Sequence, residues 1–382
     1  MTLARRLTAA LVTLVALVAA GLVVWRVLKP AEVLATASSG HPVAYPQAPG
    51  GTGQQAPGVT GKTAAAPLIV DGQIRVFAAK RQVRADAPVY AKTMYTPRWS
   101  FRRWPQQLNG VVAIGTTVVS RWSDGELVAL DGHTGAIAWR VAGPAAGAYS
   151  GLRTGASTGW APPGLFTAGT SVLVAGGGQV AAFEGGVRRW SVPACADGFT
   201  TAGGQYVCPA GAVDVSSGAA VPSWPAGPFT PLGCGVAHSS CSGFRDGAGQ
   251  GWLATSSAPR RTPALDPPDA TLAAGLPLTV TGPTVTSARW HWTDPAGGAV
   301  RVLGGAGNKI YLLTADRRLV TVDAATGAAS TFVLAVGTEA TDWTPGLSQS
   351  TAAYIAIERL DDPNPNSVHH YFTVETVIIA AT

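Results

Sequence analysis

The chain is short of charge. Only 13% of its 382 residues are Asp, Glu, Lys or Arg, about half the usual share of a soluble domain. It also has just 2 Met, 4 Cys and 6 His. Several common chemistries lack their sequence marks. There is no Cys-x-x-Cys pair for a zinc site and no His-Glu-x-x-His for a metalloprotease helix. Gly176-Gly177-Gly178 lacks the Gly-Lys-Ser/Thr of a phosphate loop and reads as a strand-to-strand turn. Long helices are disfavoured by 47 Gly and 28 Pro, both helix breakers.

What is present favours many short strands joined by tight turns. The chain is 47% hydrophobic, enough for a sizeable core, and its 12 Trp are many for this length. The net charge of +6 is unevenly placed. Between Asp71 and Trp104 lie Arg75, Lys80, Arg81, Arg84, Lys92, Arg98, Arg102 and Arg103, opposed only by Asp71 and Asp86. A solvated face is the plain reading of such a run. The bolder one is contact with anionic lipid or an acidic wall polymer.

Arg5 and Arg6 precede an apolar run from Leu7 to Trp25, interrupted only by Thr8 and Thr13. At ~1.5 Å per residue it spans ~28 Å, close to a bilayer core. The expectation is residues 1–6 as a cytoplasmic head, too short for a signalling domain, and 7–28 as a transmembrane signal-anchor. No Cys stands near the run, which argues against a lipoprotein. The alternative is a cleaved signal, with Ala35-Thr36-Ala37 as a small-residue cleavage site. Residues 29–67, rich in Pro, Gly, Ala and Thr, read as a flexible linker. Residues 68–382 would be exported. Nucleic acid is then not an expected partner.

Cys195, Cys208, Cys234 and Cys241 all fall in the exported part, and three pairings are possible. Joining nearest neighbours closes two short loops and is the expected pattern. A zinc site is the rival.

From about residue 110 the chain repeats itself. Thr117 to Trp139 reads as three strands and two turns. Asp124-Gly125 marks a hairpin, Val128 and Leu130 alternate with Ala129, and Asp131 to Gly135 forms a second turn before Trp139. The same order returns at Ile310 to Gly327, with Asp323 and Gly327 at the turn and Phe332 near the place of Trp139. A weaker copy has Asp214, Gly218 and Trp224. A degenerate one runs from Val172 through Glu184-Gly185-Gly186 to Trp190. A fifth is expected between Thr255 and Leu278, with Leu265-Asp266 at its turn. The last hairpin would run from Tyr354 to Ile379. Four-strand units of ~40–50 residues make propeller blades. The expected fold is therefore all-β: a propeller of about six or seven blades behind one N-terminal transmembrane helix and a linker.

Leu127 to Gly135 followed by Trp139, and Leu319 to Gly327, resemble the tryptophan-docking repeat of pyrroloquinoline-quinone-like propellers. That family holds quinoprotein dehydrogenases and non-enzymatic scaffolds, among them the lipoprotein propeller of the outer-membrane barrel assembly machinery. The resemblance implies a structural role for Asp131, Gly135, Trp139, Asp214, Gly218, Trp224, Asp323 and Gly327, and does not choose between the two kinds of member. The dehydrogenases carry adjacent cysteines, absent here, so no cofactor is expected. His291, in Trp290-His291-Trp292, suits a strand. His369 and His370, beyond Asp361-Asp362-Pro363-Asn364-Pro365-Asn366, suit an exposed loop. No catalytic or metal-ligating set stands out. The leading expectation is a non-catalytic binding or assembly scaffold whose partner is a protein or a cell-envelope polymer. An enzyme with a loop-built site (quinone-dependent oxidoreductase, lyase or glycosidase) is the alternative. A purely architectural envelope protein is a third reading.

Overall fold

Short runs of β-branched and aliphatic residues, cut by Gly-containing turns, fold into eight antiparallel sheets among the described residues. The computed structural model describes residues 3–29, 31–36, 57–86, 97–146, 156–334, 343–362, 364, 367 and 377–381. The sheets follow one another along the chain as blades 1 to 8, spanning 67–104, 108–142, 165–193, 199–214, 230–261, 270–293, 300–333 and 344–381. Blade 4 has three strands and most others four.

Blades 2 to 7 each begin on their innermost strand and end on their outermost. In blade 2 the strands run Leu108–Ile114, Thr117–Trp122, Glu126–Asp131 and Ile137–Ala142. The middle pair is almost wholly buried, whereas Ile137–Ala142 is mostly exposed. The hydrophobic core is correspondingly divided. One cluster lies between blades 2 and 3 (Val112, Leu127, Leu165, Phe183), another between 3 and 4 (Phe166, Leu173, Tyr206) and another between 4 and 5 (Phe199, Phe244). Leu232, Leu265 and Leu272 join 5 to 6, Leu278 and Leu312 join 6 to 7, and Leu313 and Ile357 join 7 to 8. Tyr354 and Ala356 of blade 8 pack into the cluster of blades 1 and 2. The ring closes where the Gln349 amide bonds both backbone groups of Ile69, accepting from its N–H at 2.8 Å and donating to its carbonyl at 2.9 Å. This is an eight-bladed β-propeller.

The eight blades replace the expected six or seven, for two reasons. Blade 1 lies ahead of residue 110, where the repeat first becomes legible. The expected copy at 255–278 falls across a boundary: Arg260–Arg261 ends blade 5, Ala270–Ala273 opens blade 6, and Pro263–Leu265 is a 3-10 turn between them.

The segment expected as a linker holds two strands. β1 (Ala31–Thr36) adds a fifth strand to blade 1, antiparallel to Trp99–Trp104. β2 (Gly58–Thr63) pairs with Val377–Ala381 as the outermost strand of blade 8. The composition of β2 hid it, since Gly58-Val59-Thr60-Gly61-Lys62-Thr63 has one apolar side chain and no period-two pattern. Before β1 stands α1 (Leu3–Leu28). Its side chains are described from Leu11 to Arg26, and all are exposed. Among the described residues, which for the side chains of α1 means Leu11 to Arg26, no helix is long and apolar enough to cross a membrane. Lys92, Ala37, His369 and His370 lie outside the described residues, as do 37–56 and 368–376.

Candidate functional site

The expected turn residues sit at the joints between blades. In Asp131 to Gly135 the Asp131 carboxylate accepts from the His133 and Thr134 amides at 3.1 and 2.8 Å and from the Thr134 hydroxyl at 2.9 Å. Gly135 stands at φ +75°, a region that side chains other than glycine's enter at a cost. Its amide bonds the Asp131 carbonyl at 2.7 Å. The face of this turn receives Trp99 from blade 1. The indole donates to the Gly132 carbonyl at 2.8 Å, and a Cβ on Gly135 would lie 2.5 Å from the ring.

The same joint recurs. Trp190 packs on Gly218 and donates to the Val215 carbonyl at 2.7 Å; Trp290 packs on Gly327 and donates to the Ala324 carbonyl at 3.0 Å. Asp214 accepts from the Ser216 and Ser217 hydroxyls, and Asp323 from the Ala325 and Thr326 amides. These bonds hold both carboxyls below the usual carboxylate range, the Ser216 hydroxyl being the first cause at Asp214 and the Thr326 amide at Asp323. Trp139 lies half-buried with its ring against Gly186 of blade 3. Trp224 departs from the pattern: it stacks on Phe244 at 5.5 Å in the cluster of blades 4 and 5. Phe332 packs into the cluster of blades 7 and 8. Docking thus runs forward, from the last strand of one blade to the turn of the next. Trp99 and Trp290 carry no local sign of docking, because each partner turn lies more than 30 residues downstream, in the next repeat.

The two disulfides are Cys195–Cys208 and Cys234–Cys241. The first ties the entry of blade 4 to its second strand. The Tyr206 hydroxyl lies 3.5 Å from the Cys195 sulfur, and burial pushes its pKa up.

The basic run of blade 1 is partitioned. Arg75 is buried, and the Arg84 guanidinium lies 3.4 Å from buried Asp86, whose carboxyl burial pushes above the usual range. Arg103 pairs with Glu126 at 2.6 Å and Asp124 at 3.0 Å, and lies 3.5 Å from Glu32 of β1. Arg140 closes the network through Glu32 and Glu126. Lys80 and Arg102 are exposed, and Arg81 stacks over the Trp104 ring at 3.8 Å.

Other polar groups serve the joints. Buried Arg121 of blade 2 donates to the carbonyls of Pro144, Ala145 and Gly164, and burial lowers its pKa to about 10. Arg318 reaches the buried Asp294 carboxylate of blade 6 at 2.9 Å. Leu265-Asp266, expected at a repeat turn, instead clamps blade 5: Asp266 accepts from the Gly251 amide and pairs with Arg261 at 2.6 Å. His291 is exposed on the outer strand of blade 6. A cavity of about 220 Å³ lies against Gly233, Cys234, Ser242, Leu272 and Gly305. Another, of about 260 Å³, is walled by Arg301, Arg317, Leu313 and Trp343. Both arginines donate to backbone carbonyls, Arg301 to Pro345 and Gly346 and Arg317 to Trp343. Among the described residues no three His, Cys, Asp or Glu groups come together as a metal site.

Ring, forward-docking tryptophans and Asp-to-Gly turns define the class, a β-propeller of tryptophan-docked blades. No protein-family model matches the chain, and no curated protein does. Among solved structures it is similar to BamB of Moraxella catarrhalis, at 15% identity over 84% of this chain and 97% of that one, with a TM-score of 0.42. A europium-containing methanol dehydrogenase is similar at 13% identity over 85% and 92%, TM-score 0.40. The computationally designed Ika8 protein is similar at 13% identity over 86% and 100%, TM-score 0.45.

Proposed function

We propose that the chain is a non-catalytic scaffold of the pyrroloquinoline-quinone-like kind, held at a membrane by α1 with its propeller outside the cytoplasm. The observation that carries this reading is the junction of α1 with the ring. The helix presents Leu11, Val12, Leu14, Val15, Leu17, Val18, Leu22, Val23, Val24 and Trp25 to its surroundings, each more than half exposed. Apolar surface of that extent calls for a non-aqueous neighbour. Three residues after the helix ends, at Ala31, the chain is already paired into blade 1. A rigid platform tied so closely to an anchor suits the display of a binding surface. The carboxylates of Asp131, Asp214 and Asp323 are spent on joint turns, which also favours a framework role. The partner is a protein or a cell-envelope polymer, and not nucleic acid.

Membranes holding the full chain test the reading. After carbonate washing the protein stays with the membrane, and protease added outside digests the propeller from α1. Cross-linking in those membranes captures one partner in fixed ratio to the propeller. Turnover of a quinone-linked alcohol, a glycoside or a uronide by the purified protein replaces the scaffold with an enzyme.

A further inference from the structure

The exposed apolar side chains of the propeller are not evenly spread. Among the described residues, large ones more than a third exposed are Val33, Leu34, Trp104, Ile137, Val187 and Val333. Val33, Leu34 and Trp104 lie together on the outer edge of blade 1, where Ala31 faces Trp104 and Val33 faces Arg102. This is also the edge that α1 enters. Lys29 still donates to the Trp25 carbonyl in helical fashion, and β1 begins at Ala31. Three Cα steps of ~3.8 Å separate Leu28 from Ala31, and paired strands stand ~5 Å apart. Trp104 is therefore within roughly 16 Å of the last helical residue.

Neighbouring strand residues point to opposite faces of a sheet. Val33 and Leu34 thus expose apolar groups on both faces of the outermost strand, at 54% and 42%. A partner lying on one face of the blade would need only one of them. A surface meeting the blade by its edge would touch both. Around this edge stand Lys29 over the Trp25 ring at 5.6 Å, Arg81 over the Trp104 ring at 3.8 Å, and exposed Lys80 and Arg102. The acids of the same edge, Glu32, Asp124 and Glu126, are taken up by Arg103 and Arg140. Tryptophan with flanking Lys and Arg is the side-chain set of a membrane–water interface.

We propose that the outer edge of blade 1 is a second membrane contact, in which Trp104, Val33 and Leu34 enter the headgroup layer while Lys80, Arg81 and Arg102 bind anionic phospholipid headgroups. The proposal rests on α1 being the membrane anchor. It adds an orientation: the propeller stands edge-on, with blade 1 at the bilayer and blade 5 farthest away. Both ends of the propeller axis then stay open to the surroundings.

The test uses the full chain with its disulfides intact, in vesicles of phosphatidylcholine with and without phosphatidylglycerol. A dye is placed on Lys80→Cys or, on the opposite blade, on Arg260→Cys, and energy transfer to acceptor lipids is read. The expected result is strong transfer from position 80 and several-fold weaker transfer from position 260, with the difference largest in phosphatidylglycerol at low salt. Arg81→Glu with Arg102→Glu should lower the edge-on population roughly fivefold or more for each charge removed, since one basic residue near such a surface is worth about fivefold in binding. That loss should leave carbonate resistance and melting temperature unchanged. Equal transfer from both positions, in protein that resists carbonate, overturns the edge contact and leaves the anchor standing. Release by carbonate overturns both. Position-80 transfer that does not depend on phosphatidylglycerol, and that a soluble protein competes away, shows a protein on this edge and overturns the lipid assignment.

Discussion

The ring of Trp99 fills the space that a side chain on Gly135 would need, 2.5 Å from where its Cβ would stand. The pair joins two blades through one contact that neither blade can make alone. The indole N–H, bonded to Gly132, fixes the depth of the ring.

Replacement of Gly135 by Val should therefore be among the most damaging single changes in blade 2. It combines a β-branched residue at positive φ with a clash against a ring that is 1% exposed. Strain and overpacking each cost about 1–3 kcal/mol. Thermal or denaturant unfolding should show a loss of about 3 kcal/mol or more, with Gly135→Ala intermediate.

Two tryptophans one blade apart should differ. Trp99 is fully buried and hydrogen-bonded, so Trp99→Ala should cost about 3–5 kcal/mol. Trp139 is half-buried against Gly186, and its truncation should cost roughly half as much. Asp131→Ala removes three accepted hydrogen bonds at a part-exposed turn and should cost about 1–2 kcal/mol. An unfolding midpoint for Trp99→Ala equal to that of the parent protein would show that the joint is not held as described.

The docking pair also shows what a single repeat conceals. Asp131, Gly135 and Trp139 are legible as a unit because they follow one another, yet Trp139 docks on Gly186 and Gly135 receives Trp99. The contacts cross from one repeat to the next, and a repeat read by itself cannot show them. Blade 1 was hidden because Leu68-Ile69-Val70 and Ile74 to Phe77 are joined by Asp71-Gly72-Gln73, without the Asp-to-Gly spacing of the later turns. Blade 5 was hidden by its two- and three-residue strands, too short for any period. β2 depends on a pairing with Val377–Ala381, some 320 positions away, which no local pattern can announce. The basic run of blade 1 was visible as charge, but only the fold separates Arg75, Arg84 and Arg103, taken up by acids or burial, from Lys80 and Arg102.

Reduction should weaken blade 4. The Cys195–Cys208 link spans 13 residues, and closing a loop of that size is worth up to about 3 kcal/mol in the chain-entropy model. Cys195→Ser with Cys208→Ser should lower the melting temperature, and unreduced protein should weigh four hydrogens less than the reduced chain. Four alkylatable thiols in exported protein would contradict the pairing.

Acid should destabilise the ring. Asp214, Asp266, Asp316 and Asp323 have carboxyls lowered by hydrogen bonds, first from Ser216, Arg261, Thr314 and Thr326 respectively. A lowered folded-state pKa gives stability that is complete above the unfolded value of about 4 and is lost as pH falls through the folded value. Asp86, raised by burial, acts in the opposite sense and favours the fold as it protonates. As these carboxylates and Glu184, also lowered, take up protons, their contribution is lost and unfolding free energy should fall below about pH 4, with Asp86 opposing the fall. Asp214→Asn should flatten that slope and Asp86→Asn should steepen it.

The pairing of β2 with Val377–Ala381 has a consequence for the order of events during synthesis. A chain made from its N-terminus offers β2 long before its partner exists, and domains begin to fold as they emerge. Until Gln349 and then residues 377–381 arrive, the nascent propeller is an open arc, with an unmatched strand at one end and the backbone groups of Ile69 waiting for Gln349. The circle is thus fastened late, by a clasp whose two halves lie more than 300 positions apart in the chain. A prematurely terminated product that lacks 377–381 keeps every docking joint through blade 7 but cannot fasten it, and should be cleared as an unfinished ring.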